Sequence, residues 1–279
     1  MELSQIMEEM KQNRIRFRVN GRAAQKTGAT KFGGLPDVPA DFQWPYYFGQ
    51  PVLSDEPAKN RPLSFLAQFN CAELAAYDTD TLLPRTGLLS FFYEEATAEW
   101  GFDPSHKGCC RVFYFEETKH LQRAPFPNDL ETEYRNPEIG ITLKSEISYP
   151  DTQDIDLKYG LSDDQYDEYE NAFPQEEYDV HQLLGWPLII QNNMTTQCDL
   201  IEMGHSVGSG WSHIPEKDID RAKQFSLEKW QLLLQLDEIE GENDFYLSFG
   251  DAGKLYFYIT KEDLKNCNFE NVWLIYQCY

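Results

Sequence analysis

The pentapeptide Gly204-His205-Ser206-Val207-Gly208 has the G-x-S-x-G spacing of serine hydrolases, in which a sharp strand-to-helix turn exposes a nucleophilic hydroxyl. That chemistry needs a base to take the serine proton and an acid to hold the base. His205 and His213 are the nearby bases. No acid lies between Ser206 and His213, so the Ser, acid, His order of the α/β-hydrolases fails. Cys198–Met203 is the candidate preceding strand, while Gly208-Ser209-Gly210-Trp211 is a poor start for the helix that should follow. The segment also collects Cys198, Asp199, Glu202, His205 and His213, all ligand types for a transition metal. Glu202 and His205 share a face only in a helix, which Gly204, Gly208 and Gly210 oppose, so no metal and no cofactor is expected.

Five further residues are candidates for binding. Gln68 and Gln235 each interrupt an apolar strand, and a buried amide left unpaired costs about 1–3 kcal/mol. They are expected either to bond neighbouring backbone and fix strand register, or to face a shared groove as a pair. Asp251, in Gly250-Asp251-Ala252-Gly253, suits an Asx turn or a ligand contact. His181 is a possible general base without a visible partner. Trp186, beside Pro187, is a core or rim anchor before it is a ligand platform. Gly33-Gly34 lacks the spacing and the following helix of a phosphate loop.

These residues are positioned by a repeat. Phe65–Asn70 (FLAQFN) matches Leu232–Asp237 (LLLQLD), and Gly87–Tyr93 matches Gly253–Ile259, so Gln68 pairs with Gln235 and Gly87 with Gly253. Cys110–Glu116 matches Val272–Cys278, and the Gly-Gly-Leu-Pro loop at Gly33 is echoed by Leu184-Gly185-Trp186-Pro187. Ahead of the repeat, Leu3, Ile6, Met7 and Met10 form one stripe of a short helix. Arg14 to Val19 then alternates with period two and carries three arginines on one face. Between Leu121 and Tyr178 the pattern dissolves. Asp151–Val180 holds eleven carboxylates and one lysine, with one acidic helix expected over Ser162–Phe173 and no calcium loop. Another helix is expected over Ser212–Gln224. The expected fold is mainly β (α+β): an internally duplicated, mixed or antiparallel β roll with a few short peripheral helices. One domain spans 1–279, with halves 1–120 and 181–279 joined by an acidic connector, 121–180.

The chain has 279 residues and a net charge of −23, which argues against nucleic-acid binding because no basic surface releases phosphate counterions. The opening residues lack the features of a signal peptide, and the apolar run Leu183–Ile190 is far short of the roughly 20 residues that span a bilayer. Six irregularly spaced cysteines suit reduced thiols in the cytoplasm.

The segments KFGGLP, PLSFLAQFN, LPRTGLLSFFY, RVFYFE, HQLLGWP, WQLLLQLD, FGDAG, YFYITKEDL and FENVWLIYQC, in this order, resemble the YwqG-like family, a bacterial domain of unknown function. The resemblance runs from Lys31 to Cys278. It departs at Phe249, where the family usually has tryptophan before its glycine-aspartate pair. It implies a mostly β, internally duplicated fold, brings no catalytic residues with it, and suggests a toxin and immunity setting. The expected function is a non-enzymatic, immunity-type or regulatory interaction module that engages a basic protein. A hydrolase built on the Ser206 loop and a small-ligand binder with its groove between the halves are the alternatives.

Overall fold

The runs FLAQF and LLSFFY, and their counterparts in the second half, are too apolar to face water on either side, and each becomes a strand buried along almost its whole length. The computed structural model describes residues 1–52, 55–173, 180–241 and 245–279. Helix α1 (Leu3–Met10) buries the expected stripe and leads into β1 (Gln12–Val19). The first half then builds a four-stranded antiparallel sheet in chain order from β2 (Lys31–Phe32), β3 (Ser64–Asn70), β4 (Leu88–Tyr93) and β5 (Cys110–Phe115). A short helix, α2 (Cys71–Leu74), leaves β3 under the Asn70 cap.

The acidic connector is more structured than its composition suggests. It supplies β6 (Ile141–Ser148), α3 (Thr152–Tyr159) and α4 (Asp163–Ala172); its residues 174–179 lie outside the described ones. After β7 (His181–Leu183) come α5 (Met194–Glu202) and α6 (Glu216–Lys229), then β8 (Trp230–Leu236), β9 (Lys254–Thr260), α7 (Lys261–Lys265) and β10 (Trp273–Gln277). The second sheet has the order β6-β1-β7-β8-β9-β10 and is antiparallel throughout. The fold is therefore α+β with antiparallel sheets, and neither sheet closes into a barrel.

Two sequence expectations are corrected here. Cys198–Met203 is not a strand but the end of α5, which Asn193 caps by accepting from Thr196 N–H. The helix is buried nearly all round, so it lacks the one-sided stripe that marks a surface helix. The helix expected in Ser212–Gln224 after Pro215 does start there, at Glu216, but runs further than expected, to Lys229.

The repeat holds strand for strand. β2-β3-β4-β5 corresponds to β7-β8-β9-β10, with Gln68, Ser90 and Phe113 in register where the second half has Gln235, Tyr256 and Ile275. Even the β-bulges coincide, between Phe65 and Ala67 and between Leu232 and Leu234. Inner faces of both sheets share one core that includes Phe17, Phe69, Phe91, Leu234, Phe257 and Leu274. Outside the second sheet, α5 and α6 cover Leu232, Tyr256, Tyr258 and Ile275. Outside the first sheet, Phe42 and Trp44 lie over Phe65 and Phe92.

Candidate functional site

Gln68 and Gln235 perform the same task in their two halves. Gln68 Nε2 donates to Ala29 O at 2.8 Å, and its Oε1 accepts from Asp37 N–H at 3.0 Å. Gln235 Nε2 donates to Val180 O at 2.7 Å, and its Oε1 accepts from Leu188 N–H at 2.9 Å. Each amide thus ties both ends of the loop that its neighbouring short strand enters, and the loops turn on left-handed pairs, Gly33-Gly34 and Leu184-Gly185. Both side chains are fully buried.

His181 is also buried. Its Nδ1 accepts the Asp237 N–H at 3.0 Å, and its ring stacks on Phe17. Thr30 Oγ1 does the same for Asn70 N–H in the first half. Trp186 anchors α1: its Nε1 donates to Met10 O at 2.6 Å, and its ring joins Leu3, Ile6 and Met7. Asp251 is exposed, and it is its backbone carbonyl that accepts, from Tyr279 N–H at 3.0 Å.

The G-x-S-x-G segment follows a helix, whereas a nucleophile elbow follows a strand. Ser206 Oγ lies 3.4 Å from Phe102 O. His213 Nε2 meets the backbone carbonyl of Ser206 at 2.9 Å, and His205 Nε2 meets Asp218 Oδ2 at 3.1 Å. Neither imidazole hydrogen-bonds the hydroxyl. The five candidate metal ligands spread out as well. Cys198 is in the core, where burial pushes its thiol well up. Asp199 and Glu202 both bind Lys229, and the two histidines are engaged as above. Among the described residues, no group of three or more His, Cys, Asp or Glu is arranged to hold a metal ion.

What the fold does assemble lies at the seam between the halves. The turn before β4 (Asp80 to Arg85) and helix α7 with its following loop enclose a cleft of about 640 Å³. Its apolar surface comes from Leu82, Leu83, Pro84 and Leu264, and three cations line it: Arg85, Lys261 and Lys265. Arg85 Nη1 donates to Ala75 O at 3.0 Å and Lys261 Nζ to Leu227 O at 3.1 Å. Burial holds Lys261 below the ordinary lysine range. Thr260 caps α7 by accepting from Asp263 N–H at 3.0 Å, which fixes where the two lysines emerge. Asp80 is the one acid lining the cleft, and it is held by Asn13 N–H at 2.9 Å. A second, smaller cleft of about 390 Å³ lies on the other side of α7, where Lys107 and Arg111 of the first half face Glu202, Asp263 and Glu270 of the second.

Sequence reasoning missed these cations. The available signal was three basic side chains within two turn-and-cap segments of a strongly acidic chain, but the segments stand about 180 residues apart.

Residues 30–278 match a family described as a domain of unknown function (DUF1963). The chain belongs to this family. The matched region of the DUF1963 chain contains both sheets' repeated strands and every residue lining the two seam clefts except Gln12, and leaves out α1 and β1. No curated protein matches it. Among the described residues of this DUF1963 protein, no helix is long and apolar enough to cross a membrane.

Proposed function

We propose that this DUF1963 protein is a non-enzymatic binding module whose ligand is a small organic anion with an apolar body, held in the cleft between the 80–85 turn and α7. One observation carries the reading: Arg85, Lys261 and Lys265 line a mainly apolar cleft in a chain whose net charge is −23. Ligand sites are apolar clefts with a few placed polar groups, in the range of about 300–1,000 Å³. At physiological ionic strength the overall negative field decays over roughly 8 Å, so the local cations dominate within the cleft. An anionic head on Lys265 and Arg85 would leave the ligand's apolar part against Leu83 and Leu264. The absence of any imidazole hydrogen bond to Ser206 Oγ supports binding over hydrolysis.

The test is a thermal-shift screen with medium-chain and aryl carboxylates and phosphate monoesters, repeated on an Arg85→Gln/Lys265→Gln variant. A ligand at 100 times its dissociation constant stabilises by about 2.7 kcal/mol, a readily visible rise in melting temperature. No shift with any of these anions, or an equal shift in the variant, would overturn the reading.

A second reading concerns partners. Helix α4 turns Tyr166 and Tyr169 inward and exposes Asp163, Asp164, Asp167, Glu168 and Glu170. This acidic face suits a basic protein partner in the cytoplasm of a bacterium, as an immunity-type or regulatory factor of the YwqG-like kind. A pull-down should then recover a partner at low salt and lose it as ionic strength rises. Binding indifferent to salt removes the argument.

A further inference from the structure

The strand β6 is one end of the six-stranded sheet, and its outer edge has no strand beside it among the described residues. The opposite end is closed, because Trp100 O accepts from Tyr276 N–H at 3.0 Å on the outer side of β10. In the other sheet, β2 is covered through Phe32 and Ile139, which exchange backbone bonds of 3.0 and 2.9 Å. An open edge eight residues long is the kind of template that natural proteins usually block.

The direction of its unpaired groups follows from the ladder. Asn20 N–H donates to Gly140 O at 2.9 Å and Gly140 N–H donates to Gly21 O at 3.2 Å, so both backbone groups of Gly140 face β1's continuation. Hydrogen-bonded and open pairs alternate along an antiparallel ladder. In the observed register, Thr142, Lys144, Glu146 and Ser148 therefore direct their backbone groups to Arg18, Arg16, Arg14 and Gln12. Ile141, Leu143, Ser145 and Ile147 direct theirs outward. Among the described residues, none of these four outward backbones has a partner in another element.

The sequence of the strand, ITLKSEIS, is complementary to itself when reversed about Ser145. An antiparallel second copy centred there sets Lys144 opposite Glu146, Leu143 opposite Ile147 and Thr142 opposite Ser148, each pair twice. The same centre sets outward backbones against outward backbones, so the hydrogen-bond phase and the side-chain pairing agree. Lys144 is 74% exposed and Ile147 is 48% exposed, so both have surface to cover. Arg14, Arg16 and Arg18 line β1 beside the edge, on the face that carries Lys144, and these cations lessen the local repulsion between two copies of charge −23.

We infer that β6 pairs antiparallel with β6 of a second copy about Ser145, joining two six-stranded sheets into one twelve-stranded sheet across a two-fold axis. The contact is one strand edge and is smaller than a standard interface, so the dimer is concentration-dependent. Screening of the long-range repulsion makes it tighter as salt rises.

Sedimentation velocity over a concentration series tests the state, and residue-resolved amide exchange at low and high concentration tests the edge. The expected result is a monomer–dimer equilibrium in which the amides of Leu143, Ser145 and Ile147 slow on dimerisation while those of Lys144 and Glu146 do not change. Lys144→Glu removes the ion pair that Lys144 makes with Glu146 of its own strand at 2.7 Å, sets like charges across the axis and should weaken the dimer at least about tenfold, with a retained cooperative melting transition showing that the variant still folds. A monomer up to roughly 1 mM, the weak end of specific association, overturns the inference. So does a dimer that leaves the exchange of those three amides unchanged or is indifferent to Lys144→Glu.

Discussion

Phe91 and Phe257, which occupy equivalent positions in the two halves, touch each other edge-to-face with ring centroids 5.4 Å apart. The repeat is thus not two units side by side: its pseudo-symmetry axis passes through a contact between copies of one residue, deep in the shared core. Aromatic pairs of this geometry contribute about 0.5–1.5 kcal/mol beyond the area they bury. Phe91→Leu and Phe257→Leu should each destabilise, and the double variant should lose less than the sum by about that amount. Urea denaturation of the four proteins in the cycle measures it, and strict additivity would mean that the halves are held by other contacts.

Gln235→Ala leaves Val180 C=O and Leu188 N–H without partners inside the protein. Each such group costs about 1–3 kcal/mol, so a loss of roughly 2–6 kcal/mol is expected by chemical denaturation. Gln68→Ala should cost a similar amount at Ala29 and Asp37. Neither residue lines the cleft that holds Arg85 and Lys265, so anion affinity there should not change. A large affinity change with little loss of stability would instead make the pair a groove.

These glutamines mark how far the sequence could be read. Gln68 and Gln235, each inside an apolar run and each followed at similar distance by a glycine and a second run, made the duplication visible from residue types alone. The edge strand β6 was hidden because its apolar residues, Ile141, Leu143 and Ile147, are interleaved with charge and only half covered. Cys198–Met203, the end of helix α5, reads as a strand because burial on all sides removes the amphipathic period, and the glycines at 204, 208 and 210 lie just beyond it. The seam clefts could not be read at all: Arg85 and Lys265 meet only through the way the two sheets face each other.

Gly101 tests a close approach at that seam. A Cβ on this residue would lie 1.7 Å from Leu274 O, and the backbone is left-handed, with φ +74°. Its own carbonyl also accepts from Trp273 Nε1 at 2.8 Å. Gly101→Ala should cost well above the roughly 1–2 kcal/mol of an alanine in left-handed backbone. Gly160→Ala is the control, since Gly160 has φ +66° but nothing within 4 Å of its Cβ position. If the two variants melt alike, Leu274 moves aside at little cost.

Lys254 Nζ and Asp237 Oδ1 form an ion pair at 3.0 Å in which both side chains are almost wholly buried. Removing one member of such a pair strands the other, at about 3–5 kcal/mol. Lys254→Met should be damaging by that order. Asp237→Asn keeps an acceptor for Val180 N–H but leaves the ammonium buried and unpaired. Combined, the two changes should cost less than their sum, and equal or greater loss would mean that the pair is only incidental to stability.

Glu95 gives the fold a pH dependence of definite sign. Burial, with a smaller contribution from Glu94, pushes its carboxyl up to about 7, although Asn136 Nδ2 donates to Oε1 at 2.9 Å and opposes the shift. In the unfolded chain the group titrates near 4.5. Between these values the folded state holds a proton that the unfolded state has released, so stability falls as pH rises through this window and the loss is complete above it. Asp151 and Asp154, both raised by burial, act with the same sign. The Glu95 contribution is about 3 kcal/mol at most. Glu95→Gln keeps an acceptor for Asn136 and cannot ionise, so it should raise the melting temperature at pH 8, change it little at pH 4.5 and flatten the profile between them. A parallel profile for variant and wild type would show that this carboxyl is ionised in the folded protein across the whole range.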